Sequence, residues 1–344
     1  MSDPVAETAQ GNGSGGGEVK VKAGRHREAT LYRALAGAGA GDGRSLSELR
    51  EAALKAFESS QLPVWRRSGF WTTSLQSLDL DALETRLLDV GVPEVVGRTL
   101  PERPRAGRIV QSAGSVVQVE LDPGLAERGV ILCSLEQAFE QHRELVEAWY
   151  SRRLPIDRHK LEAANAAFWT GGAFLHVPAG VIVEEPFEIV YVIDRPGVAQ
   201  YGRTLVLGGP TSEFRVHEYD LAEDFEGQSL HAGAFELYLQ DGAHCRLAQV
   251  QDWGTGEVFD VSSRFVGVGR DAYCHWLPAL LGGHLVRQHL ELAVSEPGGD
   301  MAFRGLFFTE EREHLDLFAV DLHETGPSGG DVHWRGAATG ESRA

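Results

Sequence analysis

A change of hydrophobic period at about Asn165 constrains this chain more than any other feature. Before it, apolar residues recur at spacings of three and four. After it they alternate, and the alternation holds to the end of the sequence. The second half divides into pieces of one kind: "RTLVLGGPTSEFRVHEY", "FELYLQDGAHCRLAQVQ", "SRFVGVGRDAYCHWLPA", "LELAVSEPGGDMAFRGLFF" and "FAVDLHETGPSGGDVHWRG". Each reads as a strand, a turn rich in Gly, Asp or Pro, and a second strand. Their turn centres recur about every 27–34 residues, the spacing of stacked repeats. No segment of helical period interrupts them, which excludes a βαβ sheet, because its parallel strands need crossover helices.

Two all-β arrangements fit this pattern. A sandwich or barrel would use antiparallel hairpins with a clean apolar/polar alternation. A β-solenoid would stack coils ~4.8 Å apart and place like residues in ladders. Aligning Ala243 with Ala272 brings Cys245 over Cys274 and Leu247 over Trp276, which favours the solenoid. The stretch "FWTGGAFLHVPAGVIVEEPFEIVYV", residues 168–192, is then the first coil, with Leu175 and Val177 inward and Pro178-Ala179-Gly180 turning a corner.

Three domains follow. Residues 1–44 are Gly-, Ala- and Ser-rich without periodicity and are expected to form a flexible tail. Residues 45–160 read as a helical domain with a few strands near Gly107–Leu121. Its first helix starts at Ser45, with Glu48 completing a capping box and Leu46, Leu49, Ala53, Leu54 and Phe57 on one stripe. The tract opened by Leu62-Pro63 ends in a short helix. A third helix is expected over 134–153, with Leu135, Phe139, His142 and Val146 inward and Arg152-Arg153 at its C-terminal end. Residues 161–344 are the solenoid.

Composition narrows the function. A net charge of −18, with only short basic groups such as Arg66-Arg67 and Arg152-Arg153, disfavours nucleic-acid binding. Apolar runs fall far short of the ~18 residues that cross a bilayer. Residues 1–20 lack the basic and apolar regions of a secretory signal. Three cysteines without CxxC spacing suit a reducing compartment, so a cytoplasmic protein is expected. "GAGAGDG" at 37–43 lacks the Lys-Ser/Thr of a phosphate loop.

Few residues carry candidate chemistry. Cys245 and Cys274, one coil apart, would offer two soft ligands to iron or a nascent cluster. Their parity with Leu247 and Trp276 equally fits buried thiols, with His244 and His275 facing away. His314 and Asp316 project from one face and could ligate a metal, His323 having the opposite parity, but two ligands are too few; solvent-facing polar residues are the simpler reading. Glu184, Glu185 and Glu188 suggest paired acids, yet no ladder of carboxylates crosses the coils as a sugar-cleaving β-helix would need.

The run "NAAFWTGGAFLHVPAGVIVEEPFEI" resembles the SufB/SufD family of iron–sulfur cluster assembly proteins. The shared pattern is carried by Asn165, Ala167, Gly172, Phe174, Val177, Pro178, Gly180, Val181, Glu184 or Glu185, and Pro186. A late segment is similar too, through His314, Asp316, His323, Asp331, Trp334, Arg335 and Gly336, although Leu317, Phe318 and Ala319 stand where the family often carries His and Thr. "AFESSQLPVWRRSGFWTTSL" is similar to the amino-terminal segment of the SufD type. The resemblance implies a right-handed parallel β-helix after a helical domain, and a non-enzymatic scaffold working with a SufB-like subunit and the ATPase SufC. A cluster would then belong to the complex rather than stably to this chain. It also implies that further coils, terminal helices and cluster-site positions lie beyond Ala344, so the chain alone is expected to associate through unpaired strand edges. A carbohydrate-active β-helix and a solenoid without chemistry are the alternatives.

Overall fold

A computed structural model describes residues 45–68, 71–85, 90–254 and 256–344, so the tail at 1–44 lies outside the described residues. Helix α1 (Leu46–Ser59) opens on the expected capping box: the Ser45 hydroxyl accepts from the Glu48 amide, and the Glu48 carboxylate accepts from the Ser45 amide at 2.7 Å. A hairpin follows, β1 (Val64–Ser68) and β2 (Trp71–Ser74), then a single 3₁₀ turn at Leu80–Ala82. Next come α2 (Glu94–Thr99), the hairpin β3 (Gly107–Ser112) and β4 (Ser115–Leu121), α3 (Pro123–Glu127) and β5 (Ile131–Cys133). Helices α4 (Leu135–Gln141), α5 (Arg143–Glu147) and α6 (Lys160–Phe168) lead into the sheets, with α6 packed against α1.

From there the chain winds. Strands β6 (Ala173–Val177), β7 (Ile182–Ile193), β8 (Ala199–Gln200), β9 (Arg203–Gly208), β10 (Glu213–Ala222), β11 (Gln228–His231), β12 (Ala234–Leu239) and β13 (His244–Asp252) are followed by six more. These are β14 (Glu257–Val268), β15 (Tyr273–Leu281), β16 (Leu285–Val294), β17 (Asp300–Thr309), β18 (His314–His323) and β19 (Gly329–Ala338). One sheet orders them β19-β17-β15-β13-β10-β7-β3-β4, the other β18-β16-β14-β12-β9-β6-β5. Successive coils pair in parallel: Glu213 faces His244, His244 faces Tyr273, Tyr273 faces Asp300 and Asp300 faces Gly329. The result is a parallel β-solenoid of about six turns, and the sandwich of antiparallel hairpins is excluded.

The turn signature in the sequence has a structural cause. Each strand–turn–strand piece is a corner between the two sheets, and the corners stack. Gly180, Thr211, Gly242, Asp271 and Gly298 all take left-handed φ, between 51° and 78°. Each donates its amide to the carbonyl of the next coil's corner, respectively Pro210, Asp241, Arg270, Pro297 and Pro327, at 2.7–3.2 Å. Glycine meets this backbone without cost, whereas Thr211 and Asp271 sit there at about 1–2 kcal/mol each.

Side chains between the sheets form ladders. Phe214, Cys245, Cys274 and Met301 make one, and Val216, Leu247, Trp276 and Phe303 another, all at most 1% exposed. Leu175 and Val177 belong to the same core, as expected. At the first coils the edges are closed by antiparallel pairing: β4 covers β3, and β5 covers β6. Residues 45–160 therefore contribute strands to both sheets as well as helices.

The third helix departs from expectation. It breaks at His142, whose φ of −132° ends α4 and starts α5, and His142 lies outside the buried stripe of Leu135, Phe139 and Val146. The helix stops at Glu147, short of the basic pair. The amides of Ser151 and Arg153 instead donate to the buried Glu236 carboxylate at 2.9 and 3.4 Å, a tertiary contact that overrides helical propensity. Where the tract opened by Leu62-Pro63 was expected to end in a short helix, the described residues form the 3₁₀ turn, and residues 86–89 lie outside them.

Candidate functional site

The register places the two candidate thiols side by side. Cys245 faces Cys274 on β13 and β15, both at most 1% exposed, among Phe214, Met301, Leu247 and Trp276. Burial pushes the Cys245 thiol well above its ordinary range, so it is held as a neutral thiol. Cys133, on the short edge strand β5, is likewise pushed up to about 11 by burial. Thiolates are the ligands of iron, and this apolar rung disfavours them. All three cysteines are buried, so a thiol reagent is expected to leave the native protein unlabelled and to modify three sites after denaturation. Fast native labelling at Cys245 or Cys274 would contradict this arrangement.

His314 lies in the other sheet, on β18, and does not join the cysteines. Its Nε2 lies 3.1 Å from the Thr73 hydroxyl, and burial lowers its pKa. Asp316 was expected to face solvent. It is 1% exposed and accepts from Arg287 Nη1 at 2.5 Å, while the Arg287 guanidinium stacks 4.2 Å over Trp65. The pair thus fastens the β1–β2 hairpin to the outer face of the sheet, because a carboxylate buried there needs a cation beside it. His323 is exposed, 3.5 Å from Asp321 and 2.7 Å from the Ser328 hydroxyl. Among the described residues, no three His, Cys, Asp or Glu side chains converge as a metal set. Cys245, Cys274 and His314 therefore do not fit a cluster, and no step is assigned to one.

The residues of the first-coil pattern act as fasteners. Asn165, at 2% exposure, donates from Nδ2 to the carbonyls of Gly202 at 2.7 Å and Ala232 at 2.8 Å, one from each of two coils. Its Oδ1 accepts from Arg203 Nη1 at 3.0 Å. Gly172 donates its amide to Gln111 Oε1, and a Cβ there would lie 2.8 Å from the Arg203 carbonyl. Pro178 and Gly180 make the first stacked corner.

What the sequence reading missed is a set of buried carboxylates on arginine. Arg203 meets Glu236 at 2.9 Å, Arg153 meets Glu291 at 3.1 Å and also the exposed Glu324 at 2.8 Å, and Arg108 meets Glu188 at 2.6 Å. Inside the solenoid, Arg264 meets Glu218 at 2.6 Å and Asp220 at 3.2 Å. The signal was parity: in "EFRVHEYDLA", Glu218 and Asp220 share a face with Phe214 and Val216.

Outside the Arg153 loop, a groove of about 380 Å³ opens between Trp149 and Arg152 on one side and Tyr238 and Phe265 on the other. Among the described residues, no helix is long and apolar enough to cross a membrane.

Comparison with known proteins agrees with this architecture. The family described as "SufBD protein N-terminal region" matches residues 106–189, and "SUF system FeS cluster assembly, SufBD core domain" matches residues 191–344. An iron-sulfur cluster assembly SufBD family protein of Staphylococcus epidermidis is 24% identical over 293 residues, covering 80% of this chain and 62% of the relative. One from Staphylococcus saprophyticus is 23% identical over 323 residues, covering 86% and 68%. One from Staphylococcus aureus is 24% identical over 241 residues, covering 68% and 52%. The chain thus spans about three fifths of the length of the S. epidermidis relative. Two adjoining matches in chain order, on a parallel solenoid whose first coil is fastened by the pattern residues Asn165, Gly172 and Gly180, establish that this chain belongs to the SufBD family.

Proposed function

We propose that the chain is a SufD-type scaffold subunit of a SUF-type iron–sulfur cluster assembly complex, acting in the cytoplasm with a SufB-like subunit and a SufC-like ATPase. The observation that supports this reading is the pair of family matches spanning residues 106–344, one of them to the core domain of the SUF system. Its relatives are named for iron–sulfur cluster assembly. The cluster is cargo of the complex. The subunit's own contribution is a rigid wall of stacked strands against which partners are positioned, and it catalyses no reaction itself. Choice of the SufD type rests on the Leu62-Pro63, Trp65 and Thr73-Ser74-Leu75 segment, which forms the β1–β2 hairpin and its exit, and on cysteine poverty, three in 344 residues.

Co-expression of the tagged chain with SufB-like and SufC-like proteins tests the reading. A SufB-like subunit is expected to co-purify in fixed ratio. Recovery of the tagged chain alone, folded by circular dichroism, overturns the scaffold role.

A further inference from the structure

The solenoid interior changes character along its strands. On β10 the inward side chains run Phe214, Val216, Glu218 and Asp220, and on β13 Cys245, Leu247, Gln249 and Gln251, all at most 2% exposed. The register sets Glu218 beside Gln249 and Asp220 beside Gln251. From the opposite sheet Arg264 points inward, with Nη1 on Glu218 Oε1 at 2.6 Å and Nη2 on Asp220 Oδ2 at 3.2 Å. A third acid, Asp260 on β14, accepts from Trp253 Nε1 at 3.1 Å and from the Ser262 hydroxyl.

Charge does not balance in this layer when every acid is ionised. Three carboxylates face one guanidinium. The other titratable groups around them do not compensate: His231 on β11 is lowered to about 4 by burial and stays neutral, and burial raises the Tyr191 phenol on β7. Uncompensated charge so deep is costly enough that such groups neutralise. Hydrogen bonding fails in the same place. Among the described residues, Glu218 Oε2, Asp220 Oδ1, Gln249 Oε1 and Gln251 Oε1 are buried acceptors without a donor, and Arg264 Nε, on the opposite sheet, is a buried donor without an acceptor. Two added protons would correct both imbalances, because each neutral carboxyl becomes a donor to the glutamine on the next strand.

We propose that Glu218 and Asp220 are held as neutral carboxylic acids inside the solenoid at neutral pH. Burial, outweighing the attraction of Arg264, raises both acids above the ordinary carboxylate range. The interior is thereby a proton-holding site: two protons are taken up as β10 and β13 close on each other and released when that layer opens. The sign follows from linkage. Acids raised in the folded state stabilise it below their unfolded pKa, and that contribution is lost as pH rises through the folded value. This inference does not depend on the proposed function.

Amide substitution distinguishes a neutral acid from an ion, since Gln and Asn reproduce the former's donor and acceptor. In the 344-residue protein, the double variant Glu218→Gln/Asp220→Asn is expected to keep its melting temperature within about 3 °C at neutral pH. It is also expected to lose the wild type's decline in stability as pH rises above the ordinary carboxylate range of about 4. Asp260→Asn, which removes the third acid of the layer and the acceptor of Trp253 Nε1, is expected to fall by more than twice that interval or to fail to fold. Infrared spectra of the wild type at neutral pH are expected to carry a protonated-carboxyl band that the double variant lacks. Failure of the double variant to fold, a loss equal to that of Asp260→Asn, or absence of the band overturns the proposal. So does a stoichiometric metal in the wild type that the double variant releases, which would put a cation where the protons are assigned.

Discussion

Replacing Glu236 by alanine is expected to destabilise the protein by about 3–5 kcal/mol, measured as a shift in the denaturant midpoint at constant slope. Glu236 is 1% exposed and accepts four hydrogen bonds: from Arg203 Nη2 at 2.9 Å, the Tyr238 hydroxyl at 2.7 Å, and the amides of Ser151 and Arg153. Its removal leaves the Arg203 guanidinium, 3% exposed, facing only a neutral amide oxygen, Asn165 Oδ1, and the ring of Tyr150 among the described residues. An uncompensated charge in that position costs more than the carboxylate's own desolvation would save. It also frees the 151–153 loop, which would refold as helix or swing into solvent. Removing both charges in Arg203→Met/Glu236→Leu is expected to cost less than the sum of the single variants, because neither ion is then left alone. A loss under about 1 kcal/mol for Glu236→Ala would mean that water reaches this pair in solution.

The second large effect is expected at Trp276. Its indole is fully buried between Leu247 and Phe303 of the flanking coils and meets the Phe303 ring edge-on, centroids 5.2 Å apart. Trp276→Ala deletes that contact in two directions along the ladder and leaves a cavity, for about 3–5 kcal/mol. Among the described residues the indole nitrogen has no hydrogen-bond partner, so Trp276→Phe loses no bond and is expected to cost about 1–2 kcal/mol. One residue on, Leu277 points outward at 41% exposure, and Leu277→Ala is expected to stay within about 0.5 kcal/mol. The contrast between adjacent positions tests the strand's parity directly; equal effects at 276 and 277 would refute it.

Much of the core was legible because a parallel ladder repeats in sequence what it stacks in space. Aligning Ala243 with Ala272 gave the observed Cys245–Cys274 and Leu247–Trp276 rungs, since each corner keeps nearly the same length. The Gly/Asp/Pro turns were visible for a related reason: one left-handed residue recurs at five successive corners, at Gly180, Thr211, Gly242, Asp271 and Gly298. Interactions that join distant segments were not legible. Nothing local marks Glu236 as the acceptor that ends a helix 85 residues earlier, or Asp316 as the anchor of the hairpin at Trp65, because the partners are brought together only by the winding. The same holds for the candidate metal residues. Parity placed both cysteines inward, but only the sheet order shows His314 in the other wall.

The antiparallel strands β4 and β5 bear on how the protein is made. They precede every coil in the sequence and therefore leave the ribosome first. A nascent chain that has formed these two lids already owns a template for β3 and β6, onto which each new winding is laid as it is synthesised. Growth then runs in one direction, and the incomplete rim stays at the moving end, near the ribosome, rather than at a free end where other chains would meet it.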